Sequence, residues 1–248
     1  MGRRPIERIA YVTGACLLAS GVLHLGILVV SGGSWEGPLS WRKPATFGLS
    51  FGLTLMTIVW VSSFIHLRDR TRTAVLSLFA GTSVLETALI TLQTWRGVPS
   101  HFNIETAFDA WVTRGLAAGG IALVALVVGL TVAAFRTPID PLPGMQIAVR
   151  TGFVTLCGAM ATGAIMIARG MMLVFTDDAP HAYATGGFLK PTHAVTMHAV
   201  LVLPALAWLL AQTQWSEERR RRLVRLAAVG YACLAVLVAT INFVLAFR

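Results

Sequence analysis

The sequence predicts an all-α, polytopic integral membrane protein: a single transmembrane domain over residues 1–248 built as a seven-transmembrane-helix bundle. Three observations carry that prediction. Hydrophobic residues make up 56% of the chain and charged ones only 12%, whereas a soluble domain carries about 25% charged residues to face water. Mean hydropathy is +0.72. Finally, the apolar residues gather into seven stretches of the roughly 20 residues that cross a bilayer as a helix, separated by short basic segments.

The spans are expected near 9–31, 44–66, 73–94, 110–135, 148–172, 192–213 and 223–246. The first follows the basic start Met1-Gly2-Arg3-Arg4-Pro5. No small-x-small cleavage site closes its apolar run before Ser31-Gly32-Gly33, so it reads as an uncleaved first helix rather than a removed signal. The second, entered through Trp41-Arg42-Lys43-Pro44, carries Gly48-x-x-x-Gly52. The fourth carries Gly115-x-x-x-Gly119, and the fifth is studded with Gly152, Gly158 and Gly163. Small residues at this spacing let helices approach closely and also offer faces for oligomerisation. In the sixth span Pro204 withholds a donor from the Val200 carbonyl, so a bend is expected there. No internal repeat or soluble domain interrupts the pattern.

Charge sets the expected orientation. With the N-terminus inside, the cytoplasmic segments hold Arg3, Arg4 and Arg8; Arg68, Arg70 and Arg72; Arg136 and Arg150; and Arg219, Arg220, Arg221, Arg222 and Arg225. That satisfies the positive-inside tendency and puts the C-terminus outside. The formal charge of +9 therefore reads as anchoring to the inner leaflet, not as a nucleic-acid surface. No span interior holds a lysine, which excludes a retinal Schiff base. Cys16, Cys157 and Cys233 lie inside spans, form no CxxC, and read as buried inert thiols rather than a disulfide framework or a thiolate metal site.

Against the bias, Arg42, Lys43, Arg96, Arg114, Arg169 and Lys190 fall on the outer side. Singly, each could snorkel to lipid headgroups. Together they describe a basic vestibule for an anion: a carboxylate, a phosphate headgroup or haem propionates. Five of the six histidines lie toward the same side. His24 and His198 each sit about six residues from an outer span end, some 9 Å deep at the helical rise, while His193 is at the mouth of the sixth span and His101 and His181 are in loops. His193 and His198 are five residues apart, about 140° around a helix, so a regular helix cannot aim both at one ion. A pair from two helices, His24 and His198, is the arrangement that could hold the iron of haem b or a transition-metal ion, with Arg42, Arg96, Arg114, Arg169 and Lys190 as anion partners and His193 and His101 as alternative ligands or supports. The plainer alternative gives each histidine one interhelical hydrogen bond.

Glu86 is the only acid deep in a span. Its expected roles are proton carrier, counter-ion to an arginine, or a protonated hydrogen-bonded acid. The segment Gln93 to Asn103 is the densest polar and aromatic loop, and Trp35, Trp41, Trp95 and Trp111 at the outer boundary read as interfacial anchors. Gly48-Leu49-Ser50-Phe51-Gly52 matches GxSxG but lies within a spanning helix, not at a strand-to-helix elbow. HExxH, CxxCH and phosphate-binding glycine loops are absent from the sequence.

The entry Trp41-Arg42-Lys43-Pro44, the loop Gln93-x-x-Arg96-Gly97-x-x-Ser100-His101-Phe102-Asn103, and His193-x4-His198-Ala199 leading to Pro204 resemble a functionally uncharacterised family of bacterial multi-pass membrane proteins. The resemblance covers most of the chain. It implies a multi-pass protein of the bacterial inner (plasma) membrane and brings no activity. Relatives in that group carry Gln where this chain has Leu201.

Three functions follow as expectations. The first is a haem- or metal-binding protein for electron transfer or a quinone-linked redox step. The second is a cofactor-free transporter or binding protein for a small anionic or lipid-like molecule. The third is an accessory subunit of a membrane complex.

Overall fold

A computed structural model describes residues 4–140, 142–176 and 178–246. Arg3 and Arg248 lie outside the described residues. The architecture is all-α: α1 (Pro5–Ser31), α2 (Arg42–Ser63), α3 (Asp69–Trp95), α4 (Ala107–Arg136), α5 (Met145–Phe175), α6 (Ala179–Thr185), α7 (Lys190–Ala211) and α8 (Glu217–Ala246). Seven of these are long and apolar enough to cross a membrane. Among the described residues there is no strand, only an isolated bridge between Ile65 and Ile139.

Each expected span has its helix, and most helices run a few residues further than the apolar stretch. Hydropathy marks only the part in hydrocarbon, while the hydrogen-bond ladder continues through flanking polar residues. Two spans stop early. α2 ends at Ser63 because the chain then pairs with the 138–140 segment: His66 N donates to the Pro138 carbonyl at 3.2 Å, and Asp140 N to that of Phe64 at 3.0 Å. α7 ends at Ala211, where Gln212 N and Thr213 N turn back to the Leu209 and Leu210 carbonyls, both at 3.1 Å. The short α6 falls where a loop was expected. Its signal is Asp178-Ala179-Pro180: the Asp178 carboxylate accepts from His181 N at 3.2 Å, and proline suits a first turn.

The chain divides into two compact units, Met1–Val59, Arg68–Leu123 and Arg169–Gly186 on one hand and Trp60–Leu67, Val124–Ala168 and Gly187–Arg248 on the other. In the first unit, α1 buries Glu7, Ala10, Gly14, Leu17, Gly21, His24 and Leu28, a strict alternation of three and four residues that keeps one seam facing its neighbours. The seam closes on the glycines of α2. A Cβ at Gly48 would stand 2.7 Å from Gly21 N, and one at Gly52 2.7 Å from the Gly14 carbonyl. Backbone meets backbone there, as the GxxxG spacing predicts. At the start of α1, Arg4 pairs with Asp69 at 2.9 Å and with Glu7 at 3.3 Å, and buried Arg72 lies 3.8 Å from Glu7.

In the second unit, α7 and α8 are tied by polar contacts. The Tyr231 hydroxyl donates to the Val195 carbonyl at 2.8 Å, and Asn242 Oδ1 accepts from Thr192 N at 3.0 Å and Thr192 Oγ1 at 2.7 Å. Gly152 of α5 lets α7 approach, since a Cβ there would meet Val200 Cα at 2.8 Å. α7 remains helical through Pro204. The reading of the thiols needs correction: Cys16 and Cys233 are exposed and Cys157 is only half-buried. Cys16 and Cys233, like Leu226, Val229, Val236 and Leu237 of α8, lie on surfaces whose apolar character suits lipid, while Cys157 Sγ lies 3.2 Å from Thr131 Oγ1 of α4.

Candidate functional site

Of the residues singled out, His24, Arg96 and His101 fall in three clusters of the first unit, and Glu86 in a fourth along α3. The first is built on His24, buried on the seam of α1. Its Nδ1 donates to the Ser20 carbonyl at 2.7 Å, one turn back. Its Nε2 accepts from the indole Nε1 of Trp95 at 3.1 Å, which fixes the neutral tautomer with the proton on Nδ1. Trp41 stacks on the imidazole at 6.1 Å and meets Trp95 edge-on at 4.9 Å. Trp41 and Trp95, expected as anchors only, therefore hold His24 in place.

The second cluster centres on Asp109, which the sequence reading did not single out. Asp109 Oδ1 accepts from Arg96 Nη1 at 2.6 Å and from Gln93 Nε2 at 2.9 Å, and Arg96 also donates to Gln93 Oε1. Thr106 Oγ1 donates to Asp109 Oδ2 at 2.6 Å and accepts from Asp109 N at 3.1 Å. Thr106-Ala107-Phe108-Asp109 is the Thr-x-x-acid pattern of a helix start, and that signal could have placed this carboxylate at the mouth of α4. Arg96 also lies 4.6 Å above the Phe108 ring. Its charge is thus answered within the chain.

The third cluster is the loop itself. His101 lies between the Phe47 and Phe102 rings at 5.8 and 6.1 Å, with Ser100 Oγ 3.1 Å from its Nδ1. Burial, reinforced by the charge of Lys43, lowers its pKa to about 3, so it is neutral. Phe102 adopts φ 64°, a left-handed conformation uncommon for a side chain this large. That turn seats its ring against Gly186, where a Cβ would stand 2.7 Å from Phe102 Cε2. Asn103 is fully buried. Its Oδ1 accepts from Glu105 N at 3.1 Å, its carbonyl accepts from Thr113 Oγ1 at 2.7 Å, and its Nδ2 has no partner.

The fourth cluster lies along α3. Glu86 is 4% exposed and its Oε1 lacks a hydrogen-bond partner. The carboxyl lies against Gly119 of α4, where any Cβ would overlap it, so the second glycine of the Gly115 motif serves to admit an acid. The hydroxyls of Thr87 and Thr91 are likewise buried and unpartnered.

Arg42 Nε donates to the Trp35 carbonyl at 2.7 Å, and its guanidinium lies 5.9 Å from that indole ring. Exposed Arg114 lies 5.5 Å from the Trp111 ring, the posture of an interfacial cation. Arg169 is half-buried and Lys190 exposed; a Cβ at Gly187 would overlap the Lys190 side chain. His193 packs between α7 and α5 with Nδ1 on the Ala159 carbonyl at 2.8 Å and 3.3 Å from Thr162 Oγ1. His198 is exposed and gives Nδ1 to the Ala194 carbonyl at 2.6 Å. The two histidines of α7 thus have different surroundings, as the 140° separation requires.

Both ring nitrogens of His24, the ligand expected in α1, are engaged within the chain, so none is left for iron without surrendering the bond from Trp95. Among the described residues, no three His, Cys, Asp or Glu side chains converge as metal ligands. Comparison with protein-family models, with curated proteins and with solved structures finds no match. Its seven long apolar helices make this chain a multi-pass membrane protein in contact with a lipid bilayer.

Proposed function

We propose that this protein is a cofactor-free carrier or binding protein for a small anionic or lipid-like molecule, placed in a bacterial inner membrane with its N-terminus in the cytoplasm. One observation carries the reading: the buried Glu86 carboxyl, with an unpartnered oxygen, on a helix that leaves two further hydroxyls unpartnered. A helix that only packs gains nothing from an acid in hydrocarbon, where an unpaired charge is costly and an unsatisfied oxygen is a penalty. A carrier does gain from it. A proton held on Glu86 offsets the charge of an anion moving with it, so the pair crosses the low-dielectric region with less net charge.

The outer clusters suit capture. Lys43 and neutral His101 lie on the loop side, and the Asn103 amide offers a buried donor of the kind that fixes a carboxylate or phosphate oxygen. The Arg96–Asp109 pair keeps the mouth of α4 ordered rather than supplying a free charge. The haem reading draws less support because the ligand expected in α1 is already bonded on both nitrogens.

The test is uptake of radiolabelled small carboxylates, inorganic phosphate and lysophospholipid into proteoliposomes, with internal pH read by an entrapped dye. Transport predicts uptake of one of these classes that depends on the pH gradient, is accompanied by proton movement into the lumen, and is abolished by Glu86→Gln. Silence across the panel, with a sharp reduced α-band and stoichiometric iron in the purified protein, would overturn the proposal in favour of haem.

A further inference from the structure

The two halves of α3 bury opposite kinds of surface. Between Arg72 and Glu86 the buried positions are Leu76, Phe79, Ala80 and Ser83. Three of these are apolar, and the Ser83 hydroxyl is spent on the Phe79 carbonyl at 2.8 Å. Beyond Glu86 the buried positions include Thr87, Gln93 and Thr94, with half-buried Thr91 beside them. Thr87 and Thr91, one turn apart, keep unpartnered hydroxyls. Thr94 instead bonds the Ile90 carbonyl at 3.0 Å, and Gln93 joins Asp109 at the outer end.

From these contrasts we infer that water reaches Glu86 from the outer end only, along Thr91 and Thr87, so that the Glu86 proton exchanges with that side and not with the cytoplasm. Buried hydroxyls and carboxyls without protein partners are where ordered water belongs, and three of them follow one another along half of a single helix. Ile90 closes the direct line from Glu86 to Gln93, because it packs with Val112, Leu116, Phe47 and Leu89. The path therefore runs by the threonine pair. It covers about 10 Å from Glu86 to Gln93 at the helical rise, whereas the apolar half toward Arg72 is about twice that length. This inference rests on Glu86 being a proton-exchanging group but needs no substrate.

Infrared spectroscopy of the full chain in lipid reads the exchange directly. The carboxylic C=O stretch of Glu86, assigned by its loss in Glu86→Gln and its displacement in Glu86→Asp, is expected to shift within minutes of transfer to deuterated buffer. Thr87→Val with Thr91→Val, which preserves shape, should slow that shift about tenfold or more, the equivalent of one lost hydrogen-bonded step. On a background in which Cys16, Cys157 and Cys233 are replaced by Ala, Thr91→Cys should react with a small water-soluble thiosulfonate added outside, and Ala80→Cys should not react from either side. A Glu86 band that fails to exchange, exchange unchanged by the valine pair, or labelling of Ala80→Cys from the cytoplasm would each overturn the inference. A substrate panel that fails would leave these readouts untouched.

Discussion

Asp109 and Arg96 hold each other at 2.6 Å across the loop joining α3 to α4, with the carboxylate buried and the guanidinium about one-third exposed. The pair turns an apparent surplus cation into a clamp on the site's rim. Asp109→Ala leaves Arg96 with Gln93 and the Phe108 ring and is expected to lower the melting temperature, by less than loss of a fully buried pair would because water reaches Arg96. Thermal unfolding in detergent checks this, and Arg96→Met combined with Asp109→Leu should recover part of the loss.

Trp95→Phe removes the donor to His24 Nε2 while keeping an aromatic ring. Interhelical hydrogen bonds in membrane proteins are worth about 0.6 kcal/mol. A double-mutant cycle of Trp95→Phe with His24→Phe should return a coupling near that value. A coupling of zero would mean that the indole and imidazole are merely neighbours.

His101 makes stability depend on pH. Its folded pKa is about 3 against an ordinary value near 6.5, so between those limits the unfolded chain binds more protons than the folded one. Stability therefore falls as pH drops from about 6.5. Melting temperature should decline more steeply between pH 7 and pH 5 in the wild type than in His101→Gln, where the titrating group is gone.

Gly48→Leu should separate α1 from α2, because the added carbon meets Gly21 backbone at 2.7 Å. Overpacking of this kind costs about 1–3 kcal/mol. Gly26→Leu, on the open side of α1 with nothing within 4 Å, is the control and should not destabilise, since removing a mid-helix glycine gains up to about 1 kcal/mol.

Hydropathy was enough to read the seven spans, because lipid leaves a long uniform signal that needs no knowledge of neighbours. Gly48 and Gly52 were legible as contacts for the same reason: small residues one turn apart have few other uses. What escaped was partnership. Asp109 was passed over because an acid at a span's edge reads as loop, although the Thr106 spacing marked a helix start. Trp95 was read as an anchor because its partner, His24, lies 71 residues away. Glu86 stood out as a lone ionisable group, yet its fit against Gly119 needed the packing of α3 on α4.

The ties at the two ends of α1 have a mechanical consequence. Glu7 reaches Arg72 near one end, and His24 receives Trp95 near the other, about 25 Å apart along the axis at the helical rise. Both partners belong to α3. Sliding either helix by one turn would break both attachments at once, whereas rotating the two together would break neither. The α1–α3 pair is therefore locked against sliding, and in the proposed carrier any motion around Glu86 would fall to the helices packed on this pair.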